Sequence, residues 1–268
     1  MPTQLCVLGG GVMGEALISR LISLGIFAAE AIVVGEPTTA RRQFLAATYG
    51  VQTTAQNQTA LTEAEVVLVA VKPQIFTQIV PDLQAVANRQ TSLLLSIMAG
   101  TPLSTLEAAV AGWPVVRAMP NTPATVGAGM TALAPGQAVT AEHLARATTI
   151  FTAVGDVVEV PEHLINAVTG LSGSGPGYVA IMIEALADGG VAVGLPRAIA
   201  LKLAIQTVKG TAALLQETDL HPAVLKDRVT SPGGTTIAGI SALEAGGTRT
   251  ALIEAVRTAC DRANELGS

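Results

Sequence analysis

No basic run occurs anywhere in the chain: 15 Lys and Arg stand against 20 Asp and Glu, a net charge of −5 over 268 residues. That balance argues against nucleic acid or an anionic membrane surface as a partner. Charge of either sign is sparse, at 13% of residues. Long apolar runs are missing as well, because Lys72, Arg117, Glu184 and Lys202 interrupt the candidates before they reach the ~18 residues a bilayer span needs. Cysteine occurs only as Cys6 and Cys260, far apart and without metal-ligand neighbours. Neither a disulfide framework nor a zinc or other metal site is suggested. The start, MPTQLCVLGGG, has no basic stretch ahead of its apolar residues. The expectation is therefore a protein without a signal peptide, working in a reducing cytoplasm. Histidine is scarce too. His143, His163 and His221 lie in polar or helix-edge contexts, which leaves no strong general base and no Ser-His-Asp arrangement.

Apolar residues make up half the chain, and mean hydropathy is +0.52. A chain this apolar that does not span a membrane must bury the surplus, and a subunit interface is the natural place. Up to about residue 160, short runs rich in Val, Ile and Leu alternate with helical stretches. The runs are Leu5–Leu8, Ala31–Val34, Val66–Val71, Leu93–Ile97 and Val115–Ala118, with Met130–Ala134 and Val157–Val160 extending the series. Near-continuous apolar runs suit strands covered on both faces, which predicts an α/β, Rossmann-like, doubly wound and mainly parallel sheet. From Pro161 onward the pattern is helical. Pro161 and Pro196 suit first helical turns, and Gly246-Gly247 suits a helix stop. Tyr178–Ala187, Ala198–Leu215 and Thr236–Leu243 are Ala-rich and apolar around much of their circumference. Leu252, Val256, Ala259, Ala263 and Leu266 form a short a/d seam. Two domains are expected: a dinucleotide-binding domain over 1–160, then an all-α substrate-binding and dimerisation domain over 161–268.

Gly9-x-Gly11-x-x-Gly14 follows the first strand and opens the helix Met13–Leu24. Glycines there allow a tight turn and a close approach of backbone to a pyrophosphate at the helix N-terminus. A turn serving packing alone is the competing reading. Glu36 ends the second strand, 22 positions beyond Gly14, where an acid accepts both ribose hydroxyls of NAD and repels a 2′-phosphate. Thr38, Thr39, Arg41 and Arg42 follow at once and suit that same phosphate; the arginines equally suit a solvated helix face. The choice between NADH and NADPH stays open at this stage. Val71-Lys72-Pro73, Met98-Ala99-Gly100 and Arg117–Pro123 lie at the carboxyl edge of the sheet, where such folds bind ligands. Asn121, in the third loop, suits either a carboxamide or a buried turn.

The second half carries Leu225–Ile237, LKDRVTSPGGTTI. Gly233 and Gly234 expose backbone N–H groups just ahead of a helix, with hydroxyls at Ser231, Thr235 and Thr236 beside them. This makes an anion pocket fit for a carboxylate. Simple helix capping by Ser or Thr is the competing reading.

Taken together, LGGGVMGEAL, LVAVKPQ at 68–74, RAMPNTPA at 117–124, AVTGLSGSGPGYV at 167–179, LADGGVAVGLPR at 186–197 and LKDRVTSPGGTTIAGISALE at 225–244 make the chain resemble pyrroline-5-carboxylate reductase from end to end. The resemblance implies reduction of 1-pyrroline-5-carboxylate to L-proline, the last step of proline synthesis, with NADPH as coenzyme, and Glu36 makes NADH usable as well. It implies a homodimer, with assembly into a decamer in some members. It places the substrate carboxylate on Ser231, Gly233, Gly234, Thr235 and Thr236, with the Thr236 hydroxyl at the ring nitrogen as the catalytic contact. It places the coenzyme on Leu8, Gly9, Gly10, Gly11, Val12, Met13, Gly14, Glu36, Asn57, Val71, Lys72, Pro73, Ala99, Gly100 and Asn121. Three residues depart from the common pattern: Glu36 where many members carry a small polar residue, Arg228 for Asn, and Gly177 for Ala. The missing general base fits this chemistry, since a protonated imine is already electrophilic. The Lys-x-x-x-Asn pair of the related hydroxyacid dehydrogenases is not evident. A regulator that kept the fold and lost the reaction, and a reductase of a related cyclic imine or a β-hydroxyacid dehydrogenase, are the alternatives.

Overall fold

Alternate residues of each central strand enter different cores. On β1 (Leu5–Leu8), Leu5 and Val7 pack into one apolar cluster while Cys6 and Leu8 pack into another. The period of two along a strand thus divides one apolar run between both faces of the sheet. Burial raises the Cys6 thiol pKa far above its ordinary value. The computed structural model describes residues 4–87 and 92–267. They fall into two compact units, one within 4–173 together with 259–267 and one of Ser174–Thr258.

The first unit is built on an eight-stranded sheet of order β3-β2-β1-β4-β5-β6-β7-β8. Its other strands are β2 (Ile32–Gly35), β3 (Gln52–Thr54), β4 (Val66–Val69), β5 (Leu93–Ser96), β6 (Val115–Met119), β7 (Gly129–Pro135) and β8 (Gly155–Glu159). All neighbours pair in parallel except β6 with β7. The helices α1 (Val12–Ser23), α2 (Thr39–Tyr49) and α6 (Ala141–Thr152) supply Leu17, Leu45 and Phe151 to one core. On the other face α3 (Asn57–Leu61), α4 (Phe76–Ala87) and α5 (Leu103–Ala109) supply Leu61, Leu83 and Leu106. The expected doubly wound sheet is therefore present. Strand order reverses between β1 and β4, which is where such sheets open a crevice beyond their carboxyl ends. The short α7 (Ile165–Val168) and a π turn, Thr169–Gly173, complete this unit.

The second unit is helical: α8 (Gly175–Ala192), α9 (Arg197–Thr218), α10 (Pro222–Arg228), α11 (Thr235–Ala245) and the start of α12 (Thr248–Leu266). Pro161 and Pro196 occupy N-cap positions rather than the first turns proper, and Gly247 takes the left-handed conformation after α11 (φ +70°). Little of this unit's apolar surface is covered. Ala187, Ala200 and Ala204 form a small α8–α9 core, while Ile181 is 67% exposed and Val193 83%. α9 also corrects the expectation drawn from Lys202. By length and composition it is apolar enough to cross a membrane, with a mean hydropathy of 1.4 over its most apolar stretch and 11% of that stretch buried. Its interior charges, Lys202 and Lys209, are too few to break the run.

Candidate active site

The fingerprint glycines divide by what a Cβ would meet. At Gly9, with φ +102°, it would lie 2.8 Å from the Ala70 carbonyl oxygen; at Gly14 it would lie 2.4 Å from the Gly9 oxygen. Both glycines serve close packing of the β1 turn against β4 and of α1 against that turn. At Gly11 a Cβ would meet nothing within 4 Å. Gly11 caps α1 without a side-chain bond, which leaves the first amides of the helix without a side-chain cap. The backbone at Gly11 is therefore open to close approach from outside.

A cavity of about 440 Å³ lies there, walled by Gly9, Gly11, Gly35, Glu36, Asn57, Val71, Lys72 and neighbours. Glu36 is held in place: its carboxylate accepts the Gly10 N–H at 3.1 Å and the Thr38 N–H at 2.9 Å. The two arginines beside it are spent on the chain itself. Arg41 donates to the Gly10 carbonyl at 2.5 Å and pairs with Glu15. Arg42 donates to the carbonyls of Glu36 and Pro37, at 2.8 and 2.7 Å, and to the Thr39 hydroxyl. Both arginines thus bond to the chain itself while remaining partly exposed. Burial alone would raise the Glu15 pKa, but hydrogen bonds from Tyr49 and Arg41, with the Arg41 charge, hold it below the ordinary value.

The remaining expected coenzyme contacts are dispersed. Leu8 lies wholly in the core, Gly10 is buried, and Met13 packs against the core. Val12 is 71% exposed and lines a separate hollow with Glu15, Ser19 and Tyr49. Pro73, Ala99 and Gly100 wall a second cavity of about 300 Å³ with Thr169, Ala263 and Leu266. The Asn121 amide accepts from Met130 N–H at 2.9 Å and donates to the Ser172 carbonyl at 3.0 Å. Of its two readings, the geometry matches the turn. Arg117 is buried in β6, 3.2 Å from Glu162, with its Nε unpartnered. Burial lowers its pKa, partly offset by Glu162.

In the second unit, Ser231-Pro232-Gly233-Gly234 folds into a tight turn closed by Gly234 N–H to Ser231 O at 3.0 Å. Gly233 sits at φ +67°, the requirement of the third position of a type II turn after proline. Gly234 then caps α11 without any side-chain bond, so the competing reading of a Ser or Thr cap does not hold. The hydroxyls of Ser231, Thr235 and Thr236 make no hydrogen bond among the described residues, and Thr236 is half-buried. A glycine turn, a helix N-terminus and three unspent hydroxyls thus lie within the short segment Ser231–Thr236. Two of the three histidines have structural roles elsewhere: His143 shares a capping box with Thr140, and His221 caps α10. Among the described residues no cluster could hold a metal ion.

Residues 162–266 match a family model described as pyrroline-5-carboxylate reductase dimerisation, and residues 4–100 match one described as NADP oxidoreductase coenzyme F420-dependent. A pyrroline-5-carboxylate reductase from Synechocystis sp. is 57% identical over 267 residues, covering 100% of this chain and 99% of the relative. The chain belongs to the pyrroline-5-carboxylate reductase family. A solved pyrroline-5-carboxylate reductase from Coxiella burnetii superposes with a TM-score of 0.94 at 34% identity, covering 100% of both chains. A pyrroline carboxylate reductase from Plasmodium falciparum, solved with NADP bound, superposes at 0.88 with 29% identity, covering 99% of this chain and 98% of that one. Of the family departures, Gly177 is sterically neutral, since a Cβ there would meet nothing within 4 Å.

Proposed function

We propose that the chain reduces 1-pyrroline-5-carboxylate to L-proline with NADPH, the last step of proline synthesis, and accepts NADH as well. The observation that carries this reading is the Ser231–Thr236 turn, with its open helix amides and unpartnered hydroxyls, in a chain of this family. Ser231, Gly233, Gly234 and Thr235 receive the substrate carboxylate at the positive end of α11. The Thr236 hydroxyl orients the ring nitrogen and relays a proton from water. When bound, the reduced nicotinamide supplies the hydride that the C=N carbon takes up. One hydride and one proton convert the double bond to a single bond, so no stronger acid is required.

The coenzyme is held by Gly9–Gly14, Glu36, Asn57 and Val71–Pro73, with Ala99 and Gly100 beyond them. Gly11 gives the pyrophosphate access, and the exposed Lys72 ammonium serves a phosphate or hydroxyl. Leu8, Gly10 and Asn121 act by shaping the loops they hold. Residues 1–160 are assigned to the coenzyme and 161–268 to substrate and dimerisation, in keeping with the dimerisation model at 162–266. The exposed apolar residues of α8 and α9 are covered by a second copy rather than by lipid or nucleic acid, and dimers build further into a decamer. The working compartment is the cytoplasm. Purified chain mixed with 1-pyrroline-5-carboxylate and NADPH should consume coenzyme and form proline in equal amounts. Coenzyme left unconsumed would sink the reading.

A further inference from the structure

Asn57 opens α3 and lines the coenzyme cavity beside Gly35 and Glu36. Its Nδ2 donates to Asp82 Oδ2 on α4 at 3.0 Å, and Asp82 Oδ1 accepts from Gln58 Nε2 at 3.0 Å. A carboxylate only accepts, so the Asn57 amide has a single orientation, nitrogen toward α4 and oxygen away from it. The oxygen lies against Gly35: a Cβ on that glycine would come within 2.9 Å of Asn57 Oδ1. No group among the described residues donates to this oxygen. Glu36 lines the same cavity, and the nearby Arg41 and Arg42 bond to carbonyls of the chain. An accepting oxygen left open at this wall calls for a donor, as a ribose hydroxyl is.

We propose that Asp82 is a positioning residue for the coenzyme, holding Asn57 so that its amide oxygen meets a hydroxyl of the adenosine ribose. Asp82 lies outside the cavity wall and acts only through Asn57. The inference rests on the proposed use of NADH and NADPH. It bears on discrimination between them, because a 2′-phosphate removes one of the hydroxyls that such an acceptor can read.

Calorimetric titration of the full chain with NADH and NADPH tests the proposal without involving the imine substrate. With Asp82→Ala the amide is free to turn. Kd for NADH should rise roughly 3- to 10-fold, the scale of one hydrogen bond, and Kd for NADPH by less. Asp82→Asn retains an accepting oxygen and should keep most of the affinity. In an Asn57→Ala background, Asp82→Ala should add nothing further, since both changes remove one arrangement. An unchanged Kd in Asp82→Ala overturns the proposal. So does a full additional loss on top of Asn57→Ala, which would mean that Asp82 acts through α3–α4 packing. An unsubstituted chain that binds neither coenzyme overturns the functional reading beneath it, and this inference with it.

Discussion

Glu36 and Gly10 are tied directly: the carboxylate at the end of β2 accepts the N–H of the glycine turn after β1 at 3.1 Å. The carbonyl of the same Gly10 accepts from Arg41 Nε at 2.5 Å. Both backbone polar groups of one residue, in the two peptide units that flank it, are thus fixed by side chains of the β2–α2 segment. The acid in the cavity wall also helps to set the shape of the glycine turn after β1.

Removing that acid should change coenzyme choice. Glu36→Ser takes a negative charge and an acceptor from the cavity wall, which favours a 2′-phosphate. The ratio of kcat/KM for NADPH over NADH should rise roughly 10-fold, ~1.4 kcal/mol. A ratio that stays constant would show that Glu36 is only a support for Gly10.

Gly11→Val should abolish coenzyme binding while leaving the melting temperature near that of the parent, because a Cβ at Gly11 meets no atom within 4 Å. Gly14→Ala is the contrast, since its Cβ would press on the Gly9 oxygen. That crowding should cost about 1–3 kcal/mol of stability. Calorimetry and thermal melts separate the two, and retained NADPH binding by Gly11→Val would remove the pyrophosphate from this turn.

Glu15 has a pKa below its ordinary value in the fold. A depressed carboxyl contributes stability above its unfolded pKa of about 4.3, and that contribution is lost as pH falls through the folded value. Urea midpoints should therefore fall more steeply on acidification for the parent chain than for Glu15→Gln. Parallel curves would show that the Tyr49 and Arg41 contacts leave Glu15 uncoupled from folding.

The second unit's exposed apolar helices predict association. Light scattering at micromolar concentration should report a dimer or a larger multiple of the chain. A monodisperse species of 27.1 kDa would contradict it.

The sheet was legible because its strands are apolar runs buried on both faces. Leu5–Leu8 is found as read, and Ala31–Val34 shifts by one residue, to Ile32–Gly35. Val66–Val71 shortens to Val66–Val69, since Ala70 and Val71 already belong to the cavity wall. β3, Gln52–Thr54, went unread because it is a short polar edge strand with no apolar pattern. The antiparallel placement of β7 has no local signature, and neither does the Asn57–Asp82 bond, which joins residues 25 apart through the packing of α3 on α4. In the turn ahead of α11, Pro232-Gly233 announces the backbone shape. That Thr236 is left without a partner is a property of the fold alone.

That free hydroxyl is the centre of the account, and Thr236→Ala tests it most directly. Thr236 caps nothing, so its loss should leave the melting temperature unchanged or slightly raised, alanine being the better helix former. NADPH affinity should stay within error. Steady-state reduction of 1-pyrroline-5-carboxylate should show kcat lowered roughly 10- to 1,000-fold, ~1.4–4 kcal/mol of transition-state stabilisation. A Thr236→Ala chain that turns over at the parent's kcat would contradict the account, and the turn before α11 would lose its place at the reacting nitrogen.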